Sequence, residues 1–349
     1  MLYRLIRPLL FALEAERAHG MTLRSLDRAH AARILSLAAG TVSASPCKLM
    51  GLTFPNRVGL AAGLDKNAEH VDSLGALGFG FLEVGTVTPR PQPGNPPPRL
   101  FRLPAARALI NRMGFNNLGV DRLALNISRS RYRGVLGVNI GKNFDTPLDC
   151  AADDYLYCLR KVYPLAGYVA LNISSPNTPD LRRLQQEPHL ERLLSALVDE
   201  REKLAREWSR RVPLAVKIAP DLDDAEMDTI ASLLLRHGID AVIATNTTVS
   251  RAGVESLRHG AETGGLSGAP LKSRATAVVR GLAAALAGRV AIIGVGGIMS
   301  GAEAREKLDA GASLVQFYTG LVYQGPALVS EAAAACAGVS SSAPLGISQ

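Results

Sequence analysis

At 349 residues, with 47% hydrophobic and 20% charged side chains, 33 Gly and 20 Pro, the chain has the composition of a folded α/β protein with many tight connections, and a disordered chain is excluded. Its formal charge of +8 is scattered and locally matched by acids, as between Glu187 and Arg211, without the basic stripe and interleaved aromatics of a nucleic-acid binder. Cys47, Cys150, Cys158 and Cys336 lie far apart with no CxxC pair, and the histidines have no metal-ligand spacing, so neither a disulfide framework nor a metal is expected.

The chain opens with MLYRLIRPLLFAL, whose Leu2, Ile6, Leu9, Leu10 and Leu13 fall at helical spacing, although Arg4, Arg7 and Pro8 interrupt the run. It is too short and too charged to span a bilayer, and it lacks the uninterrupted apolar core of a secretory signal. Thr22 is the expected N-cap of a second helix reaching about Ala39, with Leu23, Leu26, Ile34 and Leu37 on one side, Arg24, Arg28 and Arg33 elsewhere, and Gly40 as the stop. Such a pair of amphipathic helices either packs on the body of the protein or lies on a membrane surface with its basic groups near the headgroups; periodicity leaves both open.

From about residue 57, short β-branched runs alternate with helical stretches. The expected strands are 57–61, 80–85, 134–139, 167–173, 213–219, 240–245, 290–294 and 313–317. Eight such units predict a (β/α)8 barrel over residues 46–340, preceded by a helical extension over 1–45 and followed by a flexible tail, 341–349. The ends of these runs carry Gly63 and Lys66, Thr86, Asn139, Asn172, Lys217, Thr245 and Asn246, Gly296 and Gly297, then Tyr318 and Thr319. In a barrel the C-terminal ends of all strands converge on one face, so a single site would gather these groups. Any one asparagine or threonine there could merely close a turn. Lys217 differs, because an ammonium inside the apolar run AVKIAP is costly unless a ligand receives it.

GVGGI at the seventh run and FYTG at the eighth put glycines and a hydroxyl where barrels commonly hold a phosphate, and GGLSG (264–268) reads as a further glycine-rich loop. No GxGxxG or Walker motif is present, so a mononucleotide fits better than a dinucleotide or ATP.

Ten segments in order then carry a resemblance: GLAAGLDKNAE (59–69), EVGTVTPRPQPGNPPPR (83–99), NRMGFNN (111–117), GVNIGKN (137–143), LNISSPNTP (171–179), VKIAPDL (216–222), ATNTT (244–248), GGLSG (264–268), GVGGI (294–298) and AGASLVQFYTG (310–320). Along essentially its whole length the chain resembles the class 2, quinone-dependent dihydroorotate dehydrogenases. The resemblance implies one non-covalent FMN held by Ala62, Gly63, Leu64, Asp65, Lys66, Thr86, Asn139, Asn172, Lys217, Thr245, Gly268, Gly297, Tyr318 and Thr319. It implies dihydroorotate held by Lys66, Asn111, Arg112, Met113, Gly114, Phe115, Asn172, Asn177, Asn246 and Thr247, groups whose donors, acceptors and charge suit a carboxylate and ring carbonyls. Ser175 stands where class 2 members have their catalytic base. A serine is a weak base, so a proton relay is required.

The same resemblance turns the N-terminal helices towards the membrane, with quinone entering between them along groups such as Leu5, Leu9 and Ile34. Without a long Arg- and Ser-rich presequence, the expected place is peripheral, on the cytoplasmic side of a bacterial inner membrane, with no obligate protein partner. Asp180 departs from the glycine common in the family. The competing readings are a class 1-like dehydrogenase using fumarate or NAD, against which Ser175 and the extension argue, and a flavin-binding membrane scaffold that has lost catalysis.

Overall fold

The computed structural model describes residues 2–35, 42 and 44–338. Eight parallel strands close into a barrel: β1 (Val58–Leu60), β2 (Phe81–Val87), β3 (Val135–Ile140), β4 (Tyr168–Asn172), β5 (Leu214–Ile218), β6 (Ala241–Ala244), β7 (Ala291–Val295) and β8 (Leu314–Phe317). Each lies within two residues of its expected run, and β8 closes on β1 with Val315 opposite Val58. The strands read as continuous apolar runs because helices cover their outer face while their inner faces pack on one another.

The barrel interior is built in layers. Near the N-terminal end the rings of Phe81 and Tyr168 fill the bore, and glycines make the room: a Cβ on Gly59 would lie 2.3 Å from the Phe81 ring, and one on Gly137 2.2 Å from the Tyr168 ring. Phe54, from the antiparallel hairpin Cys47–Leu49 and Leu52–Phe54, packs edge-on against Phe81 with centroids 5.3 Å apart. One layer further along, the fully buried Glu83 carboxylate accepts from Asn139 Nδ2 (2.8 Å), the Tyr168 hydroxyl (2.7 Å) and Gln316 Nε2 (2.8 Å). A buried anion is tolerated here because these donors replace its water.

At the other end, Leu100–Leu103, Ala108–Asn111 and Gly265–Gly268 form a three-stranded antiparallel sheet. This corrects the reading of GGLSG as a loop. Gly265–Gly268 is a strand paired with Ala108–Asn111, and its glycines serve close approach, since a Cβ on Gly265 would fall 1.9 Å from Thr247 Oγ1.

The N-terminal helices form a pair, α1 (Leu2–Ala12) and α2 (Ala15–Ala31). The second begins earlier than expected. Glu14 is its N-cap, its carboxylate accepting from the N–H groups of Glu16 (2.8 Å) and Arg17 (2.7 Å), while Gly20 and Thr22 lie inside the helix. The Thr22 hydroxyl donates back to Ala18 O at 2.8 Å. One interior glycine costs about 1 kcal/mol, which the buried contacts of Ala18 and Leu23 offset. The expected positions of Leu37, Ala39 and Gly40, and the tail 341–349, lie outside the described residues.

Polar contacts tie this pair to the barrel. Arg7 donates to Tyr323 O (2.8 Å), Arg102 to Leu10 O (2.9 Å) and to Leu13 O, Arg99 pairs with Glu16 (2.6 Å), and Asp27 receives both His70 Nδ1 (2.7 Å) and the Ser73 hydroxyl (2.6 Å). Among the described residues no helix is long and apolar enough to cross a membrane.

Candidate active site

A cavity of about 160 Å³ opens at the C-terminal mouth of the barrel, walled by the strand ends and the antiparallel sheet. Lys217, on β5, points into it from the bore. Its side chain is buried and its ammonium has no hydrogen-bond partner among the described residues. Burial pushes the Lys217 pKa down, with Glu83 opposing. Lys66, in the loop after β1, likewise reaches the cavity without a hydrogen-bond partner. Burial lowers its pKa to about 8, opposed by Glu16 and Asp65 and assisted by Arg99. Two uncommitted ammonium groups in one small cavity are tolerable where an anion or an electron-rich ligand receives them.

The amide and hydroxyl groups between them are oriented by a chain of bonds that starts at Glu83. A carboxylate can only accept, so Asn139 must present Nδ2 to it and turn Oδ1 upward. That oxygen accepts from Thr86 Oγ1 at 2.5 Å, Thr86 Oγ1 accepts from Asn172 Nδ2 at 2.8 Å, and Asn172 Oδ1 accepts from Asn246 Nδ2 at 3.2 Å. Asn246 Nδ2 also meets Ser174 Oγ (3.0 Å), whose hydroxyl donates to Lys217 O at 2.7 Å. One buried acid therefore sets the polarity of the cavity floor.

Ser175 sits beyond this floor, 6% exposed, its Oγ accepting from the Asn177 N–H at 3.2 Å. Asn177 Nδ2 in turn donates to Asn111 Oδ1 at 3.2 Å, joining the loop after β4 to the antiparallel sheet. Among the described residues, the ionisable side chains that line the cavity are Lys66, Lys217 and Tyr318, the last with its pKa raised to about 12 by burial, and none is a carboxylate or an imidazole. Glycines leave backbone open to the cavity at several points. Gly63, at φ +105°, would send a Cβ towards open space with only the Tyr318 ring nearby at 3.6 Å, whereas a Cβ on Gly297 would strike Lys272 Cα at 2.3 Å.

A second cavity, about 590 Å³ and mainly apolar, lies beneath α1 and α2. Leu100, Leu109 and Tyr318 line both cavities and so form the partition between them. Its few polar side chains include Tyr3, Thr22 and Ser25, together with His19, whose pKa burial lowers to about 4 with help from Lys66 and His70, and Arg102, whose pKa burial also lowers.

The sequence profile of dihydroorotate dehydrogenases matches residues 45–335. The chain belongs to the dihydroorotate dehydrogenase family. It is 60% identical over 336 residues to the dihydroorotate dehydrogenase (quinone) of Nitrosospira multiformis, covering 95% of each chain. It is 62% identical over 331 residues to that of Thiobacillus denitrificans, covering 95% of this chain and 98% of that one. Among solved structures, the dihydroorotate dehydrogenase of Eimeria tenella in complex with ferulenol superposes with a TM-score of 0.82 at 40% identity, covering 91% of this chain and 89% of that one. The ligand-free type from the same organism gives the same score and identity, covering 93% and 94%.

Within this dihydroorotate dehydrogenase fold, the expected site residues line the mouth cavity with four exceptions. Arg112 turns outward, pairing with Glu262 at 2.7 Å and lying 4.6 Å over the Phe101 ring. Asp65 closes its own turn, accepting from the N–H groups of Glu69 (3.0 Å) and His70 (2.7 Å). Leu64 faces the apolar cavity, and Asn139 lies under the floor. Two of the three residues expected along the hydrophobic entry do not line the apolar cavity: Leu5 is 74% and Ile34 53% exposed, while Leu9 does contribute. Sequence reasoning missed Ser267, whose hydroxyl lies 2.8 Å from Thr319 Oγ1, together with His19 and Arg102. Ser267 stood within GGLSG, but helical periodicity gave His19 no mark.

Proposed function

We propose that this enzyme oxidises (S)-dihydroorotate to orotate in pyrimidine biosynthesis, with FMN at the barrel mouth and a membrane quinone as final electron acceptor. The observation that carries the reading is the shared partition: a small cavity that gathers two uncommitted ammonium groups and several asparagine amides meets a large, mainly apolar cavity across Leu100, Leu109 and Tyr318. The first suits an anionic, carbonyl-rich substrate, and the second a lipid-soluble oxidant.

The donor set fits FMN. Gly63 leaves unfilled space beside Tyr318, and Gly268, Gly297 and Thr319 offer side-chain-poor backbone and a hydroxyl for a phosphate. When bound, FMN accepts a hydride from dihydroorotate and later releases the electrons. Lys217, buried in the cavity floor, would support negative charge on the reduced cofactor. Lys66 holds the substrate carboxylate, while Asn111, Asn172, Asn177, Asn246 and Thr247 hold the ring's carbonyl and N–H groups. Ser175 Oγ takes the C5 proton. With no carboxylate or imidazole lining the cavity among the described residues, that proton leaves through water or another hydroxyl.

The N-terminal segment that carries α1 and α2 lies on the membrane. Leu5, Ile6, Leu9, Met21 and Ile34 are exposed on it, as are Arg4, Arg24, Arg28 and Arg33, the mixture that an anionic lipid surface receives. The enzyme is then peripheral, on the cytoplasmic side of the inner membrane. The test is anaerobic mixing of the purified protein with dihydroorotate while following flavin absorbance, in the wild type and in Ser175→Ala. Rapid bleaching that slows by roughly two to four orders of magnitude in the variant is expected. No bleaching in the wild type would refute the substrate, and reoxidation by fumarate or NAD in place of quinone would refute the acceptor.

A further inference from the structure

We infer that Arg182 is the positioning residue that holds the Ser175 loop in register with the Thr247 loop. The inference rests on the reading of Ser175 as the base for dihydroorotate. After Asn177 the chain passes Asp180, at φ +55°, into a short 3₁₀ turn, Leu181–Gln185, and this brings Arg182 back beneath the loop it has just left. There its guanidinium bonds in three directions: Nε to Ser174 O (3.2 Å), Nη2 to Thr247 O (3.0 Å) and Nη1 to Asp221 Oδ2 (2.9 Å).

These acceptors belong to the loops after β4, β6 and β5 respectively. Ser174 is the residue before the proposed base, and Thr247 itself lines the cavity. Asp221 extends the clamp, because its carboxylate also accepts from the Thr248 hydroxyl and from the Val249 N–H at 3.1 Å. The Arg182–Asp221 pair is largely sheltered, with side chains 24% and 21% exposed, so solvent competes weakly for it. Gln185, on the same turn, accepts from the Ala219 N–H at 2.8 Å and ties the other end to β5.

A planar fork suits acceptors spread around it in this way. A lysine ammonium in its place can reach one or two of them. Arg182 does not line the mouth cavity. Its effect is on where Ser175 Oγ stands, and a displacement of about 1 Å costs on the order of a hundredfold in rate.

The experiment separates the two half-reactions of the flavin-loaded enzyme by anaerobic stopped flow, in wild type, Arg182→Gln, Arg182→Lys, Asp221→Asn and Ser175→Ala, with thermal midpoints recorded. Arg182→Gln should slow flavin reduction by dihydroorotate on the order of ten- to a hundredfold while reoxidation by quinone stays at the wild-type rate. Arg182→Lys should recover the thermal midpoint but only part of the reduction rate. An unchanged reduction rate in Arg182→Gln overturns the inference, as does an equal slowing of both half-reactions with a fallen midpoint, which marks a purely structural role. If Arg182→Gln does not fold, Arg182→Lys and Asp221→Asn decide: the inference stands if they slow reduction selectively and falls if they do not. A wild type that dihydroorotate fails to reduce, or a Ser175→Ala variant reduced at full speed, removes the underlying reading and this inference with it.

Discussion

The two cavities either side of Leu100, Leu109 and Tyr318 are built on opposite plans. The mouth cavity is about 160 Å³, and the orientation of its floor follows, bond by bond, from the buried Glu83 carboxylate. The cavity under α1 and α2 is about 590 Å³, mainly apolar, with His19 and Arg102 among its few polar groups. Proton and hydride removal from adjacent carbons needs a substrate held in one pose, which directional bonds to rigid strand ends supply. A lipid-soluble oxidant needs apolar room and a way in, and non-directional contacts on a docked helix pair supply that.

The strongest way to break the comparison is to remove one plan and keep the other. Deleting residues 1–40 takes away α1 and α2 but, among the described residues, no strand and no donor of the mouth cavity. Bleaching by dihydroorotate should persist, while kcat/KM for quinone should fall on the order of a hundredfold, equivalent to roughly 3 kcal/mol of lost apolar contact. Quinone reduction that survives intact would mean that the apolar cavity is not the oxidant's route.

The same contrast explains what the sequence made legible. Strand ends announce themselves, because an apolar run that stops at Asn172 or Thr245, or is broken near its end by Lys217, places that residue towards one known face of the barrel. The side-chain direction of Arg112 was not legible, because the motif NRMGFNN fixes the backbone path but not the side chain, which Glu262 and Phe101, remote in sequence, draw outward. The start of α2 was misplaced because Thr22 looked like a cap, whereas the Glu14 carboxylate satisfies the first turn eight residues earlier. His19, Arg102 and the partition come together only when the helix pair docks, and no local pattern encodes that docking.

Lys66 sharpens the comparison from the polar side. Lys66→Met should raise the KM for dihydroorotate by about ten- to a hundredfold, the worth of a charged hydrogen bond, with quinone reoxidation of the flavin little changed. Its pKa of about 8 gives the sign of the pH effect. In the role proposed for Lys66 the charged form meets the carboxylate, so orotate affinity should hold below pH 8 and decline above it, by at most about tenfold per unit. Lys66→Arg, which stays charged, should abolish that decline in an equilibrium titration of flavin absorbance. A flat profile in the wild type would show that Lys66 does not meet the carboxylate.

The smallest expected effect tests the docking of the helix pair itself. Asp27, on α2, receives the Ser73 hydroxyl at 2.6 Å and His70 Nδ1 at 2.7 Å, both from the barrel side, but its side chain is 40% exposed. Solvent therefore takes back part of what the bonds provide, and Asp27→Ala should weaken the docking by only about 1 kcal/mol. Glu16 with Arg99, and Arg102 with the Leu10 and Leu13 carbonyls, still hold the pair, so the loss should surface as local opening rather than global unfolding. The expected signature is faster amide exchange along α2 and a quinone KM raised roughly fivefold, with dihydroorotate bleaching at the wild-type rate. If bleaching slowed as well, the two cavities would share a mechanical support that their separate construction does not predict.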